Sequence, residues 1–189
     1  HVVCRRQRQM CIRDRDLVAM CVNDMVTSGA YPLFFLDYFA SSKLNVTETA
    51  TVIKGIAKAC KKTNCSLIGG ETAEMPNHYI GKNFDLAGFS VGIVEKKLII
   101  DSSKVRKNNL IIGIESSGAH SNGYSLINKL IKESKLSKSE KEKFIKLALK
   151  PTHLYTNVIL DLVKKVKVKS IANITLSLIH ISEPTRRTT

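Results

Sequence analysis

Apolar positions in the first third of the chain predict a helix, a strand and a second helix, in that order. Residues 16–28 carry an apolar side chain every three or four positions, and Gly29 then ends the helix. Residues 32–39 are almost continuously apolar and aromatic, which is typical of a strand buried on both faces. A second amphipathic helix is predicted over residues 47–62, and its buried stripe comprises Ile53, Ile56, Ala57 and Cys60.

The next segments predict two strands that are separated by a loop. Residues 66–69 form a short apolar strand, which breaks into a turn of paired glycines and carboxylates. After a polar loop at 76–83, residues 84–95 predict a strand in which Gly88 and Gly92 mark bulges or close backbone approaches.

The second half of the chain predicts a further α/β unit. Residues 101–109 are polar and charged, so they mark the best domain boundary. Beyond them the pattern predicts a buried strand at 110–114, helices at 124–132, 137–149 and 154–165, and the beginning of a strand at 166–174. We therefore predict a mixed α/β (α+β) chain of two units, over residues 16–104 and 105–175.

The chain is strongly basic, but the distribution of its charge argues against nucleic acid as a partner. The net charge is +14, and aromatic residues make up only 6% of the chain. Between residues 16 and 175 the basic residues are lysines apart from Arg106, and they are scattered over predicted helices. Nucleic-acid binders more often carry clustered arginines with stacking aromatics. The lysines indicate a solvated surface instead.

The other arginines distinguish the two ends of the chain from its body. Seven of the eight arginines lie within residues 1–15 and 176–189. Because these flanks differ in composition from everything between them, we interpret them as non-native sequence, such as a tag, a fusion scar or an assembly artefact.

Hydropathy and the use of cysteine indicate the cellular compartment of the protein. No run approaches the roughly 18 apolar residues that span a bilayer, and no secretory apolar stretch follows the N-terminal arginines. We therefore expect no membrane partner and a cytoplasmic protein. The cysteines lack a zinc-type pairing and are expected to be buried free thiols. They are Cys4, Cys11, Cys21, Cys60 and Cys65.

Residues 69–75, Gly-Gly-Glu-Thr-Ala-Glu-Met, are the strongest candidate for chemistry. Paired glycines let the backbone turn or approach a ligand closely. Glu71 and Glu74 are three residues apart, so on a turn they would point to the same side. Carboxylates without nearby Cys or His suit a hard cation such as Mg²⁺. Asp24, next to Asn23 near the end of the first helix, is a second acidic element, although a bond to local backbone explains it equally well.

The loop at 116–123, Ser-Ser-Gly-Ala-His-Ser-Asn-Gly, has the composition of an anion site. Its Ser and Asn side chains can donate or cap, and a helix that begins near Ser121 would direct its positive end towards a ligand. The plainer alternative is an ordinary N-capped helix. His120 could act as an acid, a base or a phosphate ligand, whereas His78 and His153 are interpreted as structural. Neither a Walker motif nor a dinucleotide-binding glycine motif is present.

Four motifs in this order resemble the phosphoribosylformylglycinamidine cyclo-ligase, or AIR synthetase, family of purine biosynthesis. They are residues 16–24 (DLVAMCVND), 32–38 (PLFFLDY), 69–75 (GGETAEM) and 117–125 (SGAHSNGYS). The resemblance extends over residues 16–175 and stops at both arginine-rich flanks.

The resemblance implies an ATP-dependent ring closure on a small-molecule ribonucleotide, in which ATP phosphorylates the amide oxygen of formylglycinamidine ribonucleotide and a substrate nitrogen then displaces phosphate. It also implies roles for single residues. Asp24 and Glu71 would hold Mg²⁺ against the ATP phosphates. The nucleotide site would further include Asn23, Gly69, Gly70, Ser121, Asn122 and Gly123, with Glu74 in support. His120 and Asp37 would be the catalytic residues, the latter near the cleft.

The family fold that the resemblance implies has two α/β domains, of which the first forms a β-barrel with its mate at a homodimer interface. The family's N-terminal glycine-rich segment is absent here, and residues 173–175 only begin the motif with which the family continues. We therefore expect a fragment of the enzyme, with an incomplete second domain.

Two other classes of function remain open. One is another ATP-using member of the superfamily: formylglycinamidine ribonucleotide synthetase, selenophosphate synthetase or thiamine-phosphate kinase. The motifs at 36–38 and 120–125 favour the cyclo-ligase over these. The other is a non-catalytic basic interaction module, which would bind polyanions with a steep salt dependence but leaves residues 69–75 unexplained.

Overall fold

A mixed three-stranded sheet and five α-helices make up the fold that the computed structural model describes over residues 14–81 and 83–175. Residues 1–13 and 176–189, which hold most of the two predicted flanks, lie outside the described residues. The elements in chain order are α1 (Asp14–Val26), β1 (Tyr31–Ser41), α2 (Val46–Lys62), β2 (Ser66–Glu74), β3 (Phe84–Ile93), α3 (Tyr124–Glu133), α4 (Lys138–Ala148) and α5 (Thr156–Lys165). The predicted mixed α/β class and all five predicted helices are confirmed.

The strand β1 lies at the centre of the sheet, whose order is β2-β1-β3. β1 pairs in parallel with β2 through the crossover helix α2, and it pairs antiparallel with β3. The helices α1 and α2 pack together on one face and bury the core. On α2 the buried residues include Ile56 and Cys60, as predicted, but Ala59 is buried and Ala57 is exposed.

Gly88 and Gly92 let α1 pack directly on β3. A Cβ atom at Gly88 would lie 2.6 Å from the Phe35 ring, and one at Gly92 would lie 2.3 Å from the Met25 sulfur. The prediction of close backbone approaches at these glycines is therefore confirmed.

The strand β1 is buried on one face only, which corrects the prediction of a strand buried on both. Phe35 and Phe39 point towards the helices and are at most 5% exposed, whereas Phe34 is 42% exposed on the opposite face. The helices α1 and α2 cover one side of the sheet, so the apolar residues of the other side remain accessible in the single chain. We call this side the open face; its exposed large residues are Tyr31, Leu33, Phe34, Leu36, Phe89, Val91 and Ile93.

Both strands predicted in the second half are wrong. Residues 110–114 and 166–174 have no regular structure, and Leu110 and Ile111 are more than nine-tenths exposed. A strand needs a neighbour to complete its hydrogen-bond ladder, and no described segment pairs with either of these. The described part of the second unit therefore consists of the helices α3 to α5 and their connections.

The cysteine prediction is confirmed where it can be examined. Cys21, Cys60 and Cys65 are buried and form no disulfide, and Cys4 and Cys11 lie outside the described residues. Among the described helices, none has the length and apolar character that crossing a membrane requires.

Candidate functional site

The side chain of Asn23 binds the backbone of the segment that precedes α5. Its Nδ2 donates to the carbonyl oxygen of His153 at 2.8 Å, and its Oδ1 accepts the backbone N–H of Tyr155 at 3.0 Å. Asn23 is only 4% exposed, so both bonds are shielded from water. This amide therefore fixes the backbone on either side of residue 154, and it is occupied by protein rather than open to a nucleotide.

Two acidic residues of α1 also form hydrogen bonds with the second half of the chain. Asp16 accepts the backbone N–H of Thr152 at 2.7 Å, and Asp24 accepts the side-chain amide of Asn173 at 2.6 Å. Together with Asn23 they form what we call the α1 clasp. The helix that sequence analysis assigned to metal and nucleotide binding thus joins the first unit to the second.

Removal of the Asn23 clasp should destabilise the fold. Asn23→Leu leaves a part-buried carbonyl and a part-buried N–H without their partner, at roughly 1–3 kcal/mol for each group, so we expect the free energy of unfolding to fall by about 2 kcal/mol. Asn157→Leu is the control, because Asn157 makes a single bond to the Lys62 carbonyl in an exposed position. Urea denaturation followed by circular dichroism measures both. Equal losses in the two variants would contradict the assignment of a clasp.

The loop at residues 117–123 is held together by its own hydrogen bonds. The Ser117 backbone N–H donates to His120 Nε2 at 2.9 Å, and the Asn122 side chain donates to the His120 carbonyl at 2.8 Å. His120 and Ser121 have φ of +48° and +62°, a region that non-glycine residues rarely occupy. Such strain is concentrated at functional sites, and Ser121 is buried.

The helix α3 begins at the residue predicted for it and does not extend back to Ser121. Its N-cap is Gly123, with φ of +72° and no side-chain cap, and its first residue is Tyr124. The predicted capping by Ser or Asn of this loop is therefore wrong, because Asn122 is bonded to His120 instead. A Cβ atom at Gly123 would meet nothing within 4 Å, so the space above this backbone is empty.

The surroundings of His120 favour its neutral form. The backbone N–H and the hydroxyl of Ser117 lie 2.9 and 2.8 Å from His120 Nε2. Because a backbone N–H can only donate, we assign the lone pair to Nε2 and the ring proton to Nδ1. Burial and the neighbouring His153 lower the pKa of His120, and the Asp16 carboxylate opposes this in part. At neutral pH the ring therefore offers an Nδ1–H donor.

Three aromatic rings meet beside the loop. The ring centroids of His120 and His153 are 6.0 Å apart, those of His120 and Tyr155 are 6.0 Å apart, and those of His153 and Tyr155 are 5.8 Å apart. The Ser117 hydroxyl donates to the Pro151 carbonyl at 2.7 Å and joins the loop to the same segment. The loop at 117–123, the segment at 151–155 and the helix α1 are thus joined by hydrogen bonds.

Sequence analysis missed His153 and Tyr155, which it left as structural or unassigned. No local pattern marks them, because their position depends on a contact between residues 130 or more apart in sequence. The only sequence signal is the proximity of a His and a Tyr to Pro151, which is too common to be specific.

Asp37 and Gly70 lie side by side in the sheet; the Asp37 side chain is buried, whereas Gly70 is exposed. Asp37 is 8% exposed and pairs across the strands with Gly70 and Gly88. Burial raises the pKa of Asp37. The structure therefore places this predicted catalytic residue in the interior.

Residues 69–74 continue strand β2 and do not form the predicted turn. Residues in a strand alternate between faces, so Glu71 and Glu74 point to opposite sides and not to the same one. Glu71 pairs with Tyr38 and lies on the open face, exposed, together with Gly69. Glu74 accepts the backbone N–H of Leu44 at 2.6 Å.

The structure does not bring Asp24 and Glu71 of one chain together. Asp24 lies in the helical layer and Glu71 on the open face, so the sheet separates the two carboxylates. Over residues 14–81 and 83–175 no group of three or more His, Cys, Asp or Glu side chains is arranged to hold a metal ion. A magnesium site shared by this pair within one chain does not fit, and we assign no chemical step to it.

Comparison with known proteins gives the family of both units. The N-terminal domain of AIR synthase-related proteins matches residues 15–94, and the C-terminal domain of the same proteins matches residues 106–177. E. coli HypE, a hydrogenase maturation protein, is 14% identical and superposes with a TM-score of 0.59, covering 89% of this chain and 50% of its own. Thiamine-monophosphate kinase from Stenotrophomonas maltophilia is 17% identical and superposes with a TM-score of 0.51. This match covers 79% of the present chain and 47% of the kinase.

These structures share the fold of the chain, which spans about half of their length. The two matched domains follow one another in the order that the sequence motifs predict. The chain therefore carries AIR synthase-related N-terminal and C-terminal domains, in that order.

Proposed function

We propose that this chain is part of an ATP-dependent enzyme that closes the imidazole ring of aminoimidazole ribonucleotide. The observation that carries the proposal is the match of both AIR synthase-related domains, over residues 15–94 and 106–177. The motifs at residues 36–38 and 120–125 support the cyclo-ligase within this group of enzymes.

The proposed reaction has two steps. The γ-phosphoryl group of ATP passes to the amide oxygen of formylglycinamidine ribonucleotide, and ADP leaves. A substrate nitrogen then attacks the activated carbon, the bond from carbon to the phosphorylated oxygen breaks, and inorganic phosphate leaves. In such a reaction the protein positions the reactants and stabilises developing negative charge. The neutral His120, with its Nδ1–H donor, is suited to contact an oxygen of the phosphate or of the substrate.

We propose that ATP binds as its magnesium complex against Glu71 on the open face. Mg²⁺ usually keeps several waters and binds through one or two carboxylates together with the phosphates of a nucleotide. Glu71 is exposed, whereas Asp24 is bonded to Asn173. The space above Gly69 is empty within 4 Å of a Cβ position, so the backbone there is accessible to a ligand.

We further propose that the enzyme is a homodimer built on the open face. The apolar side chains of this face are 36–59% exposed in the single chain, and they form one contiguous patch over β1 and β3. Contiguous apolar patches of this kind mark interaction surfaces. A second copy bound there would border Glu71, so the proposed nucleotide site would lie at the edge of the dimer interface.

Calorimetric titration of MgATP into the full chain tests the proposed function. Glu71→Gln keeps the shape of the side chain but removes the charge, so we expect the affinity to fall about tenfold or more. Glu142→Gln, a change of an exposed carboxylate on α4, is the matched control and should bind like the unchanged chain. Absence of MgATP binding, or equal binding in both variants, would contradict this site.

The second candidate is another ATP-using member of the superfamily, and the fold shared with thiamine-monophosphate kinase and HypE is the observation that keeps it open. Single-turnover assays with formylglycinamidine ribonucleotide and with thiamine monophosphate distinguish the two. Release of phosphate only with the first substrate supports the cyclo-ligase, and phosphoryl transfer only to the second supports the kinase.

A further inference from the structure

The helix α2 ends in a turn that places two cysteines against each other. Asn64 adopts the left-handed conformation, with φ of +54°. The backbone N–H of Cys65 donates to the Cys60 carbonyl at 2.9 Å, and that of Asn64 donates to the Lys61 carbonyl at 3.3 Å. These two bonds form a Schellman motif, in which the residues at the positions of Cys60 and Cys65 frequently make an apolar contact. Both cysteines are at most 4% exposed and belong to the core.

We propose that Cys60 and Cys65 are an oxidisable thiol pair, which a peroxide converts into a disulfide between the end of α2 and the start of β2. The α-carbons of a disulfide are about 4.4–6.8 Å apart. The 2.9 Å bond from the Cys65 nitrogen to the Cys60 oxygen, together with standard bond lengths, keeps these two α-carbons within about 7 Å. Neither cysteine belongs to the candidate site, so the pair is independent of the proposed function.

The two thiols differ in reactivity because one donates a hydrogen bond to the other. The bond that the Cys60 thiol donates lowers the pKa of Cys65, although burial opposes this. The same bond and burial raise the pKa of Cys60. Lys61 and Lys62 add positive charge in the last turn of the helix. The thiolate is the nucleophile in thiol oxidation, so Cys65 reacts first and Cys60 follows as the resolving thiol.

The oxidation has two steps, with hydrogen peroxide as the oxidant. The Cys65 thiolate attacks one peroxide oxygen, the O–O bond breaks, and hydroxide leaves while Cys65 becomes a sulfenic acid. The Cys60 sulfur then attacks the sulfur of Cys65, the S–O bond breaks, and the leaving hydroxide takes the Cys60 proton and departs as water. The proton that Cys65 released neutralises the first hydroxide. Two thiols are thus oxidised to one disulfide, and the peroxide is reduced to water.

Opening of the last turn of α2 gives the peroxide access to this pair. Asn64 and Ser66, on either side of Cys65, are exposed, so the thiol lies just beneath the surface. Asn157 of α5 holds the helix end, because its side-chain amide donates to the Lys62 carbonyl at 3.0 Å. Helix ends open at lower free energy than the rest of a core. Loss of this single bond in Asn157→Leu should therefore accelerate disulfide formation about fivefold.

Peptide mapping of the full chain after treatment with hydrogen peroxide tests the proposal. Trypsin cleaves after Lys61 and Lys62, between the two cysteines, so the peptides 59–61 and 63–82 remain joined only through a disulfide. We expect these linked peptides under non-reducing conditions, and we expect dithiothreitol to separate them. Cys21→Ala, which removes another buried cysteine, is the control and should give the same linked peptides.

A second measurement identifies the thiol that reacts first. Dimedone labels sulfenic acids, so it should label Cys65 in Cys60→Ala, and it should label Cys60 in Cys65→Ala about tenfold less. Equal labelling in the two variants would overturn these roles. The proposal itself fails if no linked peptides form at a peroxide concentration that fully oxidises free glutathione. It also fails if they form only in concentrated urea, because the disulfide would then not depend on the folded turn.

Discussion

Gly70→Ala should destabilise the chain by about 3 kcal/mol or prevent it from folding. A Cβ atom at residue 70 would lie 2.3 Å from Oδ1 and 2.5 Å from the backbone oxygen of Asp37. The backbone of β1 cannot move away, because it pairs with β2 on one side and β3 on the other. Inserting a methyl group where there is no room for it typically costs about 1–3 kcal/mol, and contact with the backbone of β1 places this case at the upper end.

The adjacent glycine supplies a matched control for this effect. A Cβ atom at Gly69 would meet nothing within 4 Å, because residue 69 faces the open side of the sheet. Gly69→Ala should therefore unfold in urea within about 0.5 kcal/mol of the unchanged chain. Similar losses in the two variants would mean that these glycines are needed for backbone freedom and not for the approach of Asp37.

Val91→Glu should convert the proposed homodimer into monomers. Val91 lies on β3 in the middle of the open face and is 48% exposed in the single chain. In a two-fold symmetric dimer the variant would bury two carboxylates at one interface, without a cation to pair them. We expect the dissociation constant to rise about a hundredfold or more. Sedimentation velocity at micromolar concentrations measures the change in mass.

Val46→Glu is the control for this substitution. Val46 is the first residue of α2, on the covered side of the sheet, and is 73% exposed. The substitution Val46→Glu should leave the dimer intact. A monomeric unchanged chain would reject the dimer proposal directly. Loss of association in both variants would assign the effect to net charge rather than to the open face.

The helices could be predicted from sequence because their signals are local. The capping box of Ser137 and Glu140, for example, is a pattern within four residues, and it begins α4 where the sequence indicates. The strands at 110–114 and 166–174 could not be judged in the same way. An apolar run indicates that a segment can be buried, but strand formation also depends on a partner elsewhere in the chain.

The candidate site was predicted only in part, because some of its contacts depend on segments that are distant in sequence. The loop that carries His120 was located by its composition, whereas its contact with His153 and Tyr155 arises only when α1 holds the segment before α5. The prediction that Glu71 and Glu74 point to the same side was wrong, because these residues lie in a strand and not in a turn. Eight pairings with β1, interrupted by a register shift at Ile68, hold that strand in place, and no local pattern at residues 69–75 indicates them.

The bonds that Asn23 makes to the main chain have an evolutionary consequence. Because the amide contacts the carbonyl of residue 153 and the N–H of residue 155, it places no requirement on the side chains at those two positions. Substitution there can exchange the ring chemistry facing the loop without loosening the backbone that presents it. Related chains could therefore diversify in ligand preference at residues 153 and 155, while selection for folding acts separately on residue 23.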